Sequence, residues 1–139
     1  APKYNSTTLP NNEVIMGVTE GSSILYAHEA GFNDDGAAME CEITSGDFDI
    51  QEGDEVFLCN RVLPDFKNLT GSADVRVRFA NYPASTNTRD FTSTITSTTK
   101  FFSVRGRGRQ ANLKVSADAV NDNWRFGTVR MDIKPDGRR

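Results

Sequence analysis

From Asp74 to Phe79 the chain alternates strictly: Val75, Val77 and Phe79 are apolar, while Asp74, Arg76 and Arg78 are charged. Successive side chains of an extended strand point to opposite faces, so this pattern predicts a strand with one face buried and one in water. The same period of two recurs in Met39-Cys41-Ile43 against Glu40-Glu42, in Leu113 and Val115 against Lys114, and in Val129-Met131-Ile133 against Arg130-Asp132. Turn-forming clusters separate these runs, at Glu20-Gly21-Ser22, Asn33-Asp34-Asp35-Gly36, Gln51-Glu52-Gly53-Asp54, Thr70-Gly71-Ser72, Asn81 to Asp90 and Asn121-Asp122-Asn123. About eight short strands at such spacing predict an all-β fold, an antiparallel β-sandwich-like domain with minimal helix. The Thr-rich stretch from Phe91 to Phe102 suits an exposed strand pair, because β-branched residues fit a pleated surface better than a helix. Only Asp35 to Cys41 and Ser116 to Val120 could form a helical turn or two. The expected organisation is a β-hairpin or arm over residues 1–35 and the sandwich over residues 36–139.

Composition narrows the chemistry. At 139 residues, 37% hydrophobic and 25% charged, the chain fits one globular domain. Roughly two-thirds of its unfolded surface can be buried without disulfides or a structural metal. Its longest apolar runs, such as Ser23-Ile24-Leu25-Tyr26-Ala27, are far short of the ~20 residues of a membrane span, and no leader pattern precedes them. One His and two Cys cannot complete a four-ligand zinc site, and the spacing of Cys41 and Cys59 matches no metal or redox pattern. Both cysteines are expected as buried thiols rather than a bridge, and the sequons at Asn5 and Asn68 as chance matches. The acidic run from Asp47 to Asp54 resembles a calcium loop only superficially: its Gly stands one place late, and Leu58 occupies the position of the bidentate Glu. No metal and no cofactor are expected.

Nor does the sequence assemble a catalytic group. His28 is the only imidazole, so any Ser-His-Asp or general-base scheme would run through it. It follows the strand-like run Ile24 to Ala27, and no nucleophile elbow occurs elsewhere, so a structural or surface role is expected.

Charge is divided along the chain. Residues 1–55 carry Lys3 against twelve acids, a net −11, and residues 56–139 carry fifteen Lys or Arg against seven Asp, a net +8; together these give the −3 of the whole chain. Three arrangements fit such a division: nucleic-acid binding by the basic part, an intramolecular match, or a head-to-tail contact between copies. The strongest local feature is Arg105-Gly106-Arg107-Gly108-Arg109. On an extended backbone its three Arg line one face about 7 Å apart, and its two Gly line the other, where another backbone can approach closely. Such guanidinium forks suit phosphates, or a ladder of carboxylate pairs to an adjacent strand or subunit, and the second reading is preferred. Trp124, in Trp124-Arg125-Phe126-Gly127, is expected as a core aromatic, with a sugar-stacking platform as the alternative.

Several of these segments occur together in an order that resembles a known family. Arg61-Val62-Leu63-Pro64-Asp65-Phe66-Lys67-Asn68-Leu69-Thr70-Gly71, Tyr82-Pro83, Arg105 to Gln110, Trp124-Arg125-Phe126-Gly127 and the run Asp132-Ile133-Lys134-Pro135-Asp136-Gly137-Arg138-Arg139 are similar to the C-terminal end of virion structural proteins of short-tailed bacteriophages, the tail nozzle or tail tubular proteins. Ala27-His28-Glu29-Ala30-Gly31 and Ser45-Gly46-Asp47-Phe48-Asp49-Ile50 extend the resemblance over most of the chain. It implies a β-rich domain of a much longer polypeptide, with residues up to about 31 closing a preceding module or forming an arm. It also implies assembly as a homo-oligomeric ring, six-fold by resemblance, at the end of a phage tail, among neighbouring tail and adaptor proteins. Genomic DNA would pass through without being read. The expected subunit contacts are Arg105, Arg107 and Arg109 on one copy and Asp47, Asp49, Glu52 and Asp54 on the next.

Two rival readings follow from the residues. A glycan- or host-surface-binding sandwich would use Trp124, Tyr82 and the loop from Asn81 to Asp90. A nucleic-acid binder would use the basic part and depend steeply on salt.

Overall fold

The computed structural model describes residues 31–138 with their side chains and, among the first thirty, only the backbone of three strands; His28, Asn5 and the turn at 20–22 lie outside the described residues. In chain order the strands are β1 (Lys3–Tyr4), β2 (Ile15–Val18), β3 (Leu25–Ala27), β4 (Asn33–Asp34), β5 (Ala37–Ala38), β6 (Cys41–Thr44), β7 (Phe48–Asp49), β8 (Phe57–Leu63), β9 (Phe66–Thr70), β10 (Ala73–Ala80), β11 (Thr88–Ile95), β12 (Phe102–Gly108), β13 (Gln110–Ala117), β14 (Asn123–Phe126) and β15 (Arg130–Pro135). A single 3₁₀ turn, Gln51–Gly53, is the only helical element among the described residues. The fold is all-β and antiparallel, as the alternation predicts, with more and shorter strands than expected because several are bridges of two residues.

Two sheets build the sandwich. The larger has the order β11-β10-β13-β6, with β7 pairing the same edge of β13 as β6; the smaller has the order β12-β8-β15. Between them lie the inward residues of each strand: Phe57, Cys59 and Val62 of β8, Val75, Val77 and Phe79 of β10, Phe102 and Val104 of β12, and Ala111, Leu113 and Val115 of β13. A two-stranded ribbon of β9 and β14 carries Phe66, Leu69, Trp124 and Phe126 against this core. The strands β1, β3 and β2 pair into an antiparallel sheet of their own, and β4 pairs with β5.

The centre of the core is a run of phenylalanine rings. Phe57 lies 6.3 Å from Phe48 and 6.0 Å from Phe79, and Phe79 meets Phe91 edge-on at 5.8 Å. Phe79 fits because β12 crosses it with glycine. A Cβ on Gly106 would lie 2.2 Å from the Phe79 ring, and one on Gly108 would lie 2.9 Å from the Ala80 carbonyl oxygen. Inward residues of β12 are buried and outward ones exposed without exception, so the Gly face packs and the Arg face meets water, as the Arg-Gly alternation predicts. Arg109 alone separates β12 from β13; its backbone N–H donates to the Ala80 carbonyl at 2.9 Å and fixes the corner where the chain passes from one sheet to the other.

Four local expectations are corrected. Asp35 and Gly36 hold φ of 50° and 85° as the turn of the β4–β5 hairpin, so no right-handed helix starts there. Ser116 and Ala117 continue β13, which displaces the second helical turn. β6 is exposed at all four positions rather than half-buried, since it is an edge strand facing a narrower sheet; Ile43 is left 52% exposed. Cys41, on the same strand, is therefore exposed, whereas Cys59 is buried, and both are free thiols.

Two outcomes follow. Gly106→Ala forces its methyl into the Phe79 ring and should destabilise the fold by about 1–3 kcal/mol in urea unfolding, with partial recovery in Gly106→Ala/Phe79→Leu. Burial raises the Cys59 thiol to about 11 from its ordinary 9.0, so the unfolded chain ionises first as pH rises. The contribution of this thiol to stability is full below pH 9 and declines between pH 9 and 11; a Cys59→Ala variant should lack that decline when both are unfolded across this range.

Candidate functional site

The outward face of β12 carries the arginine ladder, and most of it is engaged within the chain. Arg107 is paired with Asp136 at 2.9 Å and also donates to that residue's carbonyl at 3.3 Å. Arg109 donates through Nη1 to the carbonyls of Gly53 at 3.0 Å and Asp54 at 2.7 Å, and through Nη2 to the carbonyl of Arg138 at 3.0 Å. One guanidinium thus ties the loop before β8 to the segment after β15. Arg105 is exposed and has no charged partner among the described residues; its φ of 51° marks the bulge where β12 slips register against β8. The ladder meets one carboxylate and otherwise backbone oxygens, a target that residue spacing could not reveal.

The loop that Arg109 holds is strained. Gln51, Glu52 and Gly53 have φ of 51°, 57° and 78°, three consecutive residues in the left-handed region. For Gln and Glu this conformation costs of order 1–3 kcal/mol each and persists only where the surroundings enforce it. The enforcing contacts are the two Arg109 bonds and the turn bonds Gly53 N–H to Ile50 O and Asp54 N–H to Gln51 O, both 3.2 Å.

Tyr82 stands beside this loop. It follows β10 in a turn closed by the Ser85 N–H to the Tyr82 carbonyl at 3.2 Å, with Pro83 rigid at the second position and Ala84 at φ 56° at the third. Tyr82 is 68% exposed. Two shallow clefts meet at it. One, of about 210 Å³, is bounded by Asp49, Glu52, Arg109 and Gln110; the other, of about 160 Å³, by Asp47, Arg78, Gln110 and Asn112. Asp47 accepts from the Asn112 amide at 2.8 Å. Arg78 is held by Asp90 through two bonds of 2.8 and 2.7 Å, which lower the Asp90 carboxyl below its ordinary range and raise Arg78. Gln110 Oε1 and Asn112 Oδ1 are buried without a hydrogen-bond donor among the described residues.

Three of the four acids marked in the sequence, Asp47, Asp49 and Glu52, therefore lie with Arg109 around Tyr82, while Asp54 contributes its carbonyl to Arg109 rather than its carboxylate. Trp124 does not join them. The Asp122 carboxylate, two residues before Trp124, accepts from the Ser72 N–H at the start of β10, whereas Tyr82 lies beyond its end. Trp124 is half-buried, edge-on to Phe66 at 6.0 Å and to Phe126 at 6.3 Å, so it packs the ribbon against the core.

The two outer faces differ in charge: the smaller sheet is basic, while the larger carries Arg76 and Arg78 on β10 and gathers its acids at the β6 edge. Register places Arg61, Arg105, Arg107, Arg130 and Lys134 outward on the smaller sheet, accompanied by Asp132, which pairs with Arg61 at 3.5 Å, and Asp136. On the larger sheet, a cleft of about 410 Å³ at the β6 edge is lined by Glu40, Glu42, Asp74, Asp118 and Asp122 around Lys114, which is paired with Glu42. Among the described residues no cluster of His, Cys, Asp or Glu has metal-holding geometry, and no helix is long and apolar enough to cross a membrane. Part of the division between acidic and basic segments is spent inside the chain, in Glu42–Lys114 and Glu55–Arg138. No family model matches the chain, and a search of curated proteins finds no match.

Replacing Arg109 by Lys removes the fork that reaches three carbonyls. Arg109→Lys should lose about 1–3 kcal/mol and speed hydrogen exchange in the segments around residues 53 and 138 together, while Arg107→Lys, at an exposed pair, should change stability by less than about 1 kcal/mol.

Proposed function

We propose that this domain is a structural component of a short-tailed bacteriophage tail, part of a ring-forming nozzle or tail tube, and that it works by self-association without a catalytic residue or cofactor. The observation that carries this reading is the opposition of charge across the sandwich. A basic outer face on β12-β8-β15 and an acidic cleft on the opposite side, at the β6 edge, form the unlike pair of surfaces that a heterologous head-to-tail contact requires. The ordered motifs from Arg61 to Arg138 supply the family resemblance, and an all-β sandwich fits the β-rich domain it implies.

The contact is assigned differently from the ladder alone. Arg107 and Arg109 hold the chain's own segments, so reversing them would disturb folding and assembly together. Arg105, Arg130 and Lys134 are exposed and make no ion pair among the described residues, and on the outer face of the smaller sheet they are the cations left to meet a neighbour. Genomic DNA passes the assembled ring without being gripped, since a conduit lined by phosphate-binding arginines would retard its cargo.

The test is a reversal and its repair. Arg105→Glu/Arg130→Glu/Lys134→Glu should remain folded and lose self-association in sedimentation and electron microscopy of the full-length polypeptide. Adding Glu40→Lys/Asp118→Lys to the same chain should restore it. Antibody raised against this chain should label phage tails and no other part of the particle. Assembly unchanged by the triple reversal, or particles that a working antibody leaves unlabelled, would overturn the reading.

A further inference from the structure

The paired clefts at Tyr82 have a chemistry of their own, independent of self-association. We infer that they form a binding site for a neutral carbohydrate, with a sugar ring stacked on Tyr82 and its hydroxyls donating to Asp47, Asp49, Glu52, Gln110 and Asn112. Three observations combine. Tyr82 is mostly exposed at the junction of the two clefts, and its ring is the apolar platform that the C–H face of a pyranose requires.

The charged groups left to a ligand around that platform are acceptors: Asp47, Asp49 and Glu52 line the two clefts. The cations that border the clefts are already engaged: Arg109 on three backbone carbonyls and Arg78 on both oxygens of Asp90. Gln110 Oε1 and Asn112 Oδ1 are buried acceptors with no donor among the described residues, carried by alternate residues of one strand that stand about 7 Å apart on the same face. A buried acceptor left without a donor is unfavourable, so either amide gains by turning its oxygen toward a ligand that brings O–H groups. The three nearby carboxylates accept as well and repel anions, which selects a neutral polyol over a sialylated, uronic or phosphorylated one.

The walls are also fixed before any ligand arrives. Glu52 is carried on the left-handed turn that Arg109 clamps, and Tyr82 on a Pro83 turn whose Ala84 is itself left-handed. Non-glycine residues kept at such φ on both sides of a cleft are a signature of a pre-organised ligand clamp.

Titration of the isotopically labelled full chain with neutral mono- and oligosaccharides at millimolar concentration tests this. The Tyr82 ring and the Gln110 and Asn112 side-chain amides should shift together with at least one neutral sugar. Affinity should fall about tenfold or more in Tyr82→Ala, whose thermal unfolding should be unchanged at so exposed a site, and should be unaffected in Trp124→Phe. Glucuronate and sialic acid should bind more weakly than neutral sugars in the wild type. No shift with any neutral sugar, shifts that survive Tyr82→Ala, or tighter binding of spermidine than of every sugar would each overturn the proposal.

Discussion

The ring of Phe79 can occupy the centre of the sandwich only because the strand that crosses it has hydrogen atoms where side chains would otherwise stand. Gly106 and Gly108 let β12 approach that ring and the Ala80 carbonyl to distances that no Cβ could tolerate. Everything around this point is set by it. The close crossing fixes the separation of the two sheets, aligns the rings of Phe48, Phe57, Phe79 and Phe91, and brings the end of β12 near enough to the end of β10 for Arg109 to turn the chain onto the other sheet. Because side chains alternate along a strand, the same glycines that face inward oblige Arg105 and Arg107 to face out.

The clamp and the cleft are consequences of that corner. Arg109 emerges beside the acidic loop before β8, whose carbonyls it satisfies, and next to the turn that carries Tyr82. The strain in Gln51 and Glu52 is thus held by a residue whose position derives from packing on the far side of the strand. A single structural device, small residues inward and guanidinium groups outward, serves the core on one face and organises the surface on the other.

Much of this was legible in the sequence, and what was not has a common physical cause. Period-two alternation in β10 and β13 identifies central strands, because each has a neighbour on both sides and one face covered; in β12, an edge strand, it holds because the Gly side packs on Phe79. The same alternation in Met39 to Ile43 misleads, since β6 is an edge strand of the wider sheet that the narrower sheet leaves uncovered. The two faces of the Arg-Gly segment could be read from spacing alone. Its partners could not: Gly53, Asp54, Asp136 and Arg138 reach it through register between strands distant in sequence. The grouping of Tyr82 with Asp47, Asp49 and Glu52, and the separation of Trp124 from it, depend likewise on which end of β10 each loop meets.

The placement of β8 has a consequence in time. It is the middle strand of the smaller sheet, yet its partners β12 and β15 both follow it, the nearer beginning at Phe102 and the farther ending at Pro135. On a chain growing from its N-terminus, Phe57, Cys59 and Val62 are made long before either flank exists, whereas β10 and β11 can close as a hairpin as soon as Ile95 appears. Sheets dominated by pairings distant along the chain form slowly, and their exposed apolar strands invite the wrong partner meanwhile. The hairpin is thus the natural nucleus, the smaller sheet is the last to form, and the aggregation-prone interval ends only when Arg130 to Pro135 is laid beside β8.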